Sequence, residues 1–421
     1  MTFDLFELRR ELHRHPEVAF TEFWTAAFVA RRLRELGFQV RVGADAIDPE
    51  ARLGVPLPSR LVAAAERAIS EGADRELVGA MAGGLTGVLA EKQGKRPGLT
   101  VGFRFDMDAL AIPESSEQGH VPHELGFASL HPGNMHACGH DAHTAVGLVL
   151  AERLADGDFE GTIRLIFQPA EEGAGGARAM VAAGAVNGVN RLFCFHFGLG
   201  LPLGEIAAST TGFLATTKLE ATFTGRGAHA GQAPEYGRNA LLAAATALLA
   251  VHAIPRFNSA DTRVNVGLLE GGGAVNVVPA RARMLIETRA SQTAVDQELV
   301  RRVERILVGA AAMYEVEVQS RVIGVAEVAT SDPSAAAAVM EAARNLDDIG
   351  ELRDSYPFGA SEDASLLMRA VQEAGGTATY FLVGTTLAAP HHNERFDIDE
   401  ESMPTALDLL EAIARRPSAV G

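Results

Sequence analysis

The sequence of 421 residues contains little cysteine and has a deficit of positive charge. Its two cysteines, Cys138 and Cys194, are too few for a disulfide framework, which excludes the small disulfide-stabilised scaffolds. Lys and Arg number 37 against 54 Asp and Glu, a formal net charge of −17. A negative field repels nucleic acid and no basic run offsets it locally, so we expect no nucleic-acid partner.

Long hydrophobic runs are also missing. No apolar segment reaches the length of a membrane span. The N-terminal residues mix acids with bases and contain no apolar core of signal-peptide length. We therefore expect a cytoplasmic protein without a membrane partner. Hydrophobic residues nevertheless make up 47% of the chain, and this length allows two or three domains with at least one large core.

Apolar spacing predicts strands alternating with helices in the first part of the chain. A helix is predicted from Leu5 to Leu36, ended by Gly37, and residues 45–80 are interpreted as an insertion. Short apolar runs predict buried strands at Gly87 to Ala90, Thr100 to Phe105, Thr162 to Phe167 and Arg191 to Phe195. The alternation predicts an α/β fold with a mixed sheet.

The pattern changes near Thr217. From Lys218 to Val322 the elements follow the order β-α-β-β-α-β, which is typical of a ferredoxin-like α+β unit. We predict a small domain over residues 216–328, inserted into a larger domain formed by residues 1–215 and 329–421.

The densest group of metal-binding side chains lies between His136 and His143, and it includes Cys138 and His140. A thiolate and imidazoles bind transition metals, and three His, one Cys and one Asp within eight residues favour a metal site over a His-rich surface loop.

Further polar residues follow predicted strands. Glu171 and Glu172 come after one strand, His196 ends another, and the pair His391-His392 follows a third. Open α/β sheets bind ligands at these carboxyl ends, so one acid could bind metal while its neighbour holds a water molecule. Spacing alone leaves open which of the two adjacent His completes the metal site.

Two weaker candidates complete the set. His229, flanked by glycines in residues 225–231, could stabilise an oxyanion from an accessible loop. Asp106 and Asp108 end a predicted strand, where they could orient a ligand imidazole.

These stretches, in this order, resemble the dinuclear metallo-aminoacylase and carboxypeptidase G family. The resemblance is nearest to its amidohydrolase branch and, within that, to proteins like aminobenzoyl-glutamate hydrolase. The matching stretches are LRRELHRHPEVAFTE (8–22), RFDMDAL (104–110), MHACGHDAHT (135–144), FQPAEEG (167–173), GAHAGQAP (227–234), NVVP (276–279), SED (361–363) and residues 392–400.

The resemblance implies a catalytic domain with an inserted lid domain that also forms a homodimer or a higher homo-oligomer. It implies two divalent ions, manganese or zinc with cobalt possible, and a small aromatic substrate. Glu171 would be the catalytic base and His229, from the partner subunit, would reach the substrate carbonyl. The implied ligands are Cys138, His140, Glu172, His196 and His392, and the implied substrate-binding residues are Asn276 and Arg289.

The leaving group stays open. An amidohydrolase would expel an amino acid from an aryl amide, whereas an aryl aminohydrolase would expel ammonia from a ring such as a nitroanthranilate. Residues 119–125 depart from the pattern expected of aminobenzoyl-glutamate hydrolases, which favours a substrate without a glutamate tail if this segment borders the pocket. A non-catalytic metal-binding scaffold is the third alternative, although neither Glu171 nor any ligand is lost.

Overall fold

The computed structural model describes residues 4–346 and 349–415. The chain divides into two compact units. Unit 1 comprises Met1–Thr211, Ala329–Gly359 and Asp363–Gly421, so far as these are described, and unit 2 comprises Gly212–Val328 and Ala360–Glu362. No helix in the described part of the chain is both long enough and apolar enough to cross a membrane.

The elements have the following bounds. The helices are α1 Leu5–Arg14, α2 Phe23–Glu35, α3 Pro58–Ser70, α4 Arg75–Ala80, α5 Val121–Glu124, α6 His140–Arg153, α7 Ala177–Ala182, α8 Ala240–His252, α9 Thr293–Met313, α10 Pro333–Arg344, α11 Ala364–Glu373 and α12 Ser402–Arg415. The strands are β1 Gln39–Val42, β2 Val88–Gln93, β3 Arg96–Asp106, β4 Glu160–Gln168, β5 Arg191–Phe197, β6 Glu205–Ala207, β7 Thr210–Thr211, β8 Ala215–Thr224, β9 Thr262–Gly271, β10 Arg281–Ala290, β11 Glu317–Ala326, β12 Glu351–Arg353, β13 Tyr356–Pro357 and β14 Thr377–Val383.

Unit 1 is built on a mixed sheet in the order β1-β2-β4-β3-β5-β14-β6-β12. The central strands β4, β3, β5 and β14 are parallel neighbours, whereas β1, β2 and β6 each pair antiparallel with a neighbour. The parallel strands read as continuous apolar runs because the sheet is buried here. This confirms the predicted α/β class, with a mixed sheet.

Helix α6 packs against the middle of this sheet and is buried from His140 to Ala151. Gly147 permits this approach, because a Cβ atom there would lie 2.8 Å from the Phe105 ring and 2.9 Å from the Phe167 ring. The close packing fixes the first turn of α6 near the ends of β3 and β4.

The single helix predicted from Leu5 to Leu36 is wrong. The chain forms α1 and α2 with residues 15–22 between them. Pro16 disfavours helix at the residue before it, and Phe20 has a φ of +61°. The buried carboxylate of Glu17 then accepts hydrogen bonds from the Trp24 and Thr25 amides at 3.1 and 2.9 Å, so it satisfies the first turn of α2.

Unit 2 has an antiparallel sheet in the order β11-β8-β10-β9. With α8 following β8 and α9 following β10, this is the ferredoxin-like strand order. The two helices pack together and cover one face, where Leu219, Phe223 and Met284 of the sheet meet Ala244 and Val303 of the helices.

Candidate metal centre

The parallel strands of unit 1 bring four of the predicted clusters to one edge of the sheet. β3 ends at Asp106, β4 leads to Glu171 and Glu172, His196 lies in β5, and β14 leads to the loop of His391 and His392. Since β4, β3, β5 and β14 are parallel neighbours, their carboxyl ends meet at this edge.

Cys138 and His140 reach the same place from the start of α6. Gly139 has a φ of +93°, and the helix begins at the next residue. The Nδ1 atom of His140 lies 2.9 Å from the main-chain oxygen of Asp108. Because a carbonyl only accepts, Nδ1 carries a proton. Burial lowers the pKa of His140, but the Asp106 carboxylate outweighs it and raises the pKa well above its usual range, so a cation bound at Nε2 would replace a proton there.

The other ring nitrogen faces carboxylates. The Nε2 atom of His140 is buried and makes no hydrogen bond within the described part of the chain. It lies 3.7 Å from Asp106 Oδ2, 3.9 Å from Glu171 Oε2 and 4.0 Å from Glu172 Oε1. These separations exceed hydrogen-bond length, and they leave room for an atom that all of the groups could coordinate.

The two glutamates occupy a turn held by other acids. Ala170 has a φ of +57°, and its amide donates to the Glu22 carboxylate at 2.9 Å. The Asp108 carboxylate accepts from the amides of Glu171 and Glu172 at 2.9 and 3.1 Å. Asp108 therefore holds the backbone of both glutamates while its own carbonyl orients His140.

His196 faces the thiol. Its Nδ1 atom donates to the Phe197 carbonyl at 2.7 Å, and its Nε2 atom lies 3.4 Å from Cys138 Sγ. Burial and the nearby His143 hold the pKa of His196 well below its usual range. The imidazole is therefore neutral, which is the form that binds metal.

The two adjacent histidines, between which the sequence leaves the ligand open, make different contacts. His391 lies with Nδ1 3.6 Å from Cys138 Sγ, and its Nε2 accepts from the Leu199 amide at 3.2 Å. The proton on Nδ1 therefore points at the sulfur. His392 instead has Nε2 3.3 Å from Glu172 Oε2, and its ligand atom groups with those of Cys138 and Glu172 within 4.8 Å. The geometry favours His392 as the ligand.

Asp106 contacts His143, a histidine of the 136–143 cluster for which the sequence predicts no individual role. Its carboxylate accepts from His143 Nδ1 at 2.5 Å and also binds Arg104. The other ring nitrogen of His143 accepts from the Phe197 amide at 3.1 Å. Both nitrogens of His143 are thus engaged. The sequence does contain a signal for this contact: His143 comes three residues after His140, so both lie on the same side of α6.

A divalent cation fits this donor set. Burial and the Glu172 carboxylate raise the pKa of the Cys138 thiol well above its usual range, so a thiolate here requires a cation beside it. The candidate groups Cys138–His140–His196 and Cys138–Glu172–His392 share Cys138. Shared ligands between overlapping groups are what two neighbouring ions need.

The remaining predicted site residues lie in unit 2. His229 is exposed, and its Nδ1 atom accepts from the amides of Gly231 and Gln232, both at 3.1 Å, so its proton is on Nε2. The next residue, Ala230, donates to the carbonyl of Asn276 at 2.9 Å, which brings His229 and Asn276 together.

Arg289 lies apart from that pair. Its guanidinium binds Glu287 on the same strand at 2.9 Å. Arg281 begins β10 beside the His229 loop, since Ala280 accepts from Gly225. Arg289 is eight residues further along, roughly 27 Å at the rise of an antiparallel strand.

A thiol, imidazoles and carboxylates buried together at the carboxyl edge of a mixed sheet define a metal-dependent hydrolase of the α/β class. Comparison with known sequences agrees with that class. The profile of peptidase family M20/M25/M40 matches residues 102–416, and the chain belongs to this family.

Two relatives match along nearly the whole chain. Indole-3-acetyl-aspartic acid hydrolase of Enterobacter agglomerans is 44% identical over 97% of this chain and 94% of its own length. A p-aminobenzoyl-glutamate hydrolase subunit of Escherichia coli (strain K12) is 43% identical over 96% of this chain and 93% of its own length.

Solved structures show the same fold. The aminobenzoyl-glutamate utilization protein from Klebsiella pneumoniae has a TM-score of 0.84 at 38% identity, covering 98% of this chain and 95% of that one. The YXEP protein of Bacillus subtilis, described as a dinuclear metal-binding peptidase of the M20 family, has a TM-score of 0.66 at 25% identity, covering 99% and 98%. The family thus includes dinuclear metal-binding enzymes.

Proposed function

We propose that the protein hydrolyses the amide bond between an aromatic acyl group and an amino acid, with glutamate or aspartate as the leaving group. The observation that carries the proposal is the turn of Glu171 and Glu172, held by Asp108 beside Cys138 and His140. Two relatives that span nearly the whole chain carry names that join an aromatic acyl group to glutamate or aspartate.

The proposed ligands are Cys138, His140, Glu172, His196 and His392. Two divalent ions bound there would supply Lewis-acid polarisation of the amide carbonyl and a water molecule of lowered pKa. Manganese and zinc are the proposed ions, because a soft thiolate stands beside harder carboxylates, and cobalt satisfies the same donors.

Glu171 is the proposed general base. Its side chain is only 12% exposed and its Oε2 atom lies 3.9 Å from His140 Nε2, so it borders the donor cluster. The Asp108 carboxylate fixes its backbone amide. A carboxylate held there can take a proton from water and return it to the leaving nitrogen, which cannot depart as an anion.

His229 is the proposed oxyanion donor. The two backbone amides that bind its Nδ1 atom keep the proton on Nε2, as a donor to a developing negative charge needs. Arg289 and Asn276 are proposed substrate contacts. His229 and Arg289 lie toward opposite ends of β10, too far apart to contact the same small substrate. If both bind substrate, each acts in a different active site. This supports a homodimer in which His229 acts in the partner's site.

The sequence of α8, ALLAAATALLAVH, also supports a homodimer. The helix is apolar on all sides, and Leu242 and Leu249 are 50% and 71% exposed. A helix that is apolar all round is usually covered on all sides. We also propose the cytoplasm as the location, because a reducing compartment keeps the Cys138 thiol available as a ligand.

The test uses purified protein with manganese or zinc and three substrates: p-aminobenzoyl-glutamate, indole-3-acetyl-aspartate and a nitroanthranilate. Glu171→Gln should lower the rate by about a thousandfold, within the range for a lost general base, without loss of metal. Glu66→Gln, an exposed acid on α3, is the matched control and should keep full activity.

Release of glutamate or aspartate that requires both metal and Glu171 would support the proposal. Release of ammonia from the nitroanthranilate alone would establish the aminohydrolase alternative. Turnover that survives a chelator or Glu171→Gln would refute the mechanism, and a fully metal-loaded protein that turns over none of the three would refute the proposed substrates.

A further inference from the structure

Arg9 is a buried cation without a role in the chemistry described above. It lies in α1 and is fully buried. Its guanidinium binds three carboxylates: Nε lies 2.9 Å from Asp141 Oδ2, Nη2 lies 2.5 Å from Asp397 Oδ1, and Nη1 lies 3.1 Å from Glu400 Oε1. Two segments that are distant in the sequence, one with Asp141 and one with Asp397 and Glu400, therefore converge on one side chain.

The first of these segments carries two proposed ligands. Asp141 directly follows His140 in the first turn of α6, and Cys138 lies just before that helix. The same Oδ2 atom of Asp141 that binds Arg9 also lies 2.8 Å from His13 Nδ1. Two side chains of α1 thus hold the start of α6 through Asp141.

The second segment carries another proposed ligand. The backbone carbonyl of Asp397 accepts from the Ala388 amide at 3.0 Å, and Leu387 pairs with Ile398. These contacts close the loop that presents His392. Arg9 therefore holds this loop at its base.

A direct contact links the two segments on the ligand side. The amide of His392 donates to the carbonyl of Ala137 at 2.8 Å. Arg9 supplies a second link through Asp141 and Asp397. Two separate links restrict rotation of one segment against the other, which a single hydrogen bond does not.

A stabilising role alone is a poor explanation for such a cation. Burying a guanidinium carries a desolvation cost of several kcal/mol, and buried ion clusters can often be replaced by apolar residues without loss of stability. The planar guanidinium presents its N–H groups in fixed directions, so it can fix the relative positions of three carboxylates where a lysine ammonium could not.

We propose that Arg9 is a positioning residue for the metal centre, which holds the segment of Cys138 and His140 and the loop of His392 in register through Asp141 and Asp397. The inference rests on the proposed metal-dependent function. Groups that orient metal ligands from behind typically change metal affinity by roughly 10- to 100-fold when they are removed.

The test compares metal binding by the wild type, Arg9→Met and Asp397→Asn. Arg10→Gln is the matched control, because Arg10 also binds Glu400, at 2.7 Å, but contacts neither Asp141 nor Asp397. Dissociation constants for both metal equivalents are measured by competition with a chromophoric chelator. The midpoint of thermal unfolding is recorded with and without metal, and circular dichroism reports whether each metal-free variant is folded.

We expect Arg9→Met and Asp397→Asn to weaken at least one metal equivalent by about tenfold or more and to reduce the rise in the midpoint that metal produces. The metal dissociation constants of Arg10→Gln should stay within about twofold of the wild-type values. A merely structural role would lower the midpoint equally with and without metal, because metal binding adds stability only according to its affinity.

Wild-type affinities in folded Arg9→Met and Asp397→Asn would overturn the inference and leave the proposed function standing. A wild type that binds no metal would instead refute the proposed function itself. Asp397→Asn leaves Arg9 balanced by Asp141 and Glu400, so it decides the question should Arg9→Met fail to fold.

Discussion

The charge on His13 gives a stability prediction that can be worked out in advance. This side chain is fully buried, with Nδ1 2.8 Å from Asp141 Oδ2 and Nε2 2.9 Å from Glu114 Oε1. Burial alone would lower the pKa of His13, but the hydrogen bonds to Asp141 and Glu114 outweigh it and raise the pKa to about 9.

The size and sign of the effect follow from linkage. The pKa is 6.5 in the unfolded chain and about 9 in the folded protein, and each pKa unit is worth about 1.4 kcal/mol. The imidazolium therefore contributes about 3 kcal/mol to the free energy of unfolding. This contribution is complete below pH 6.5, where both states are protonated. It declines as pH rises, because the unfolded chain then binds fewer protons than the folded one, and it is lost above about pH 9.

The assay is urea unfolding of the metal-free protein between about pH 6 and pH 9.5, a range that spans both pKa values. Trp24, the only tryptophan, is buried in unit 1 and reports on that unit by fluorescence. The stability difference between the wild type and His13→Gln should shrink by about 3 kcal/mol over this range. His123→Gln, at an exposed position of α5, is the control, and the stability difference between it and the wild type should stay constant over this pH range. A difference that stays constant with pH would refute a charged His13.

Two further predictions concern the metal donors and the oligomer. Cys138→Ser replaces a soft ligand by a hard one, so zinc affinity should fall more than manganese affinity in chelator competition. Cys194→Ser, buried within β5, should bind both ions as the wild type does, and an equal loss of both ions in Cys138→Ser would contradict a sulfur ligand. Leu249→Glu places a charge on the exposed apolar side of α8 and should give monomers in light scattering after size-exclusion chromatography. Val62→Glu, 58% exposed on α3, should keep the wild-type mass, and an unchanged mass for Leu249→Glu would rule out an interface there.

The sheet and much of the candidate site follow from local sequence signals. Central parallel strands contain apolar runs because both faces are buried, so the runs ending at Phe105, Phe167 and Phe195 predict the ends of β3, β4 and β5 closely. Parallel topology then requires that polar residues just beyond such runs meet, which is why the sequence predicts that Glu172 and His196 lie close together.

Other features depend on information that periodicity does not carry. Apolar residues recur at helical spacing in both α1 and α2, so Pro16 was the local signal of the break between them. The distinction between His391 and His392 depends on a hydrogen bond from Leu199, which is 192 positions from His391. Contacts between distant segments, such as Arg9 with Asp397, are set by tertiary packing, and no local pattern encodes them.

The order of the strands has a consequence for biosynthesis. Unit 2 is drawn almost entirely from one stretch, 212–328, so it can fold while the chain is still being made. Unit 1 must wait, because β14 inserts between β5 and β6 and because Arg9 pairs with Asp397 across 388 positions. Loop closure over such separations is slow. Metal capture should therefore be among the last events of maturation, after the ribosome has made nearly the whole polypeptide, because the proposed ligand His392 is synthesised long after Cys138.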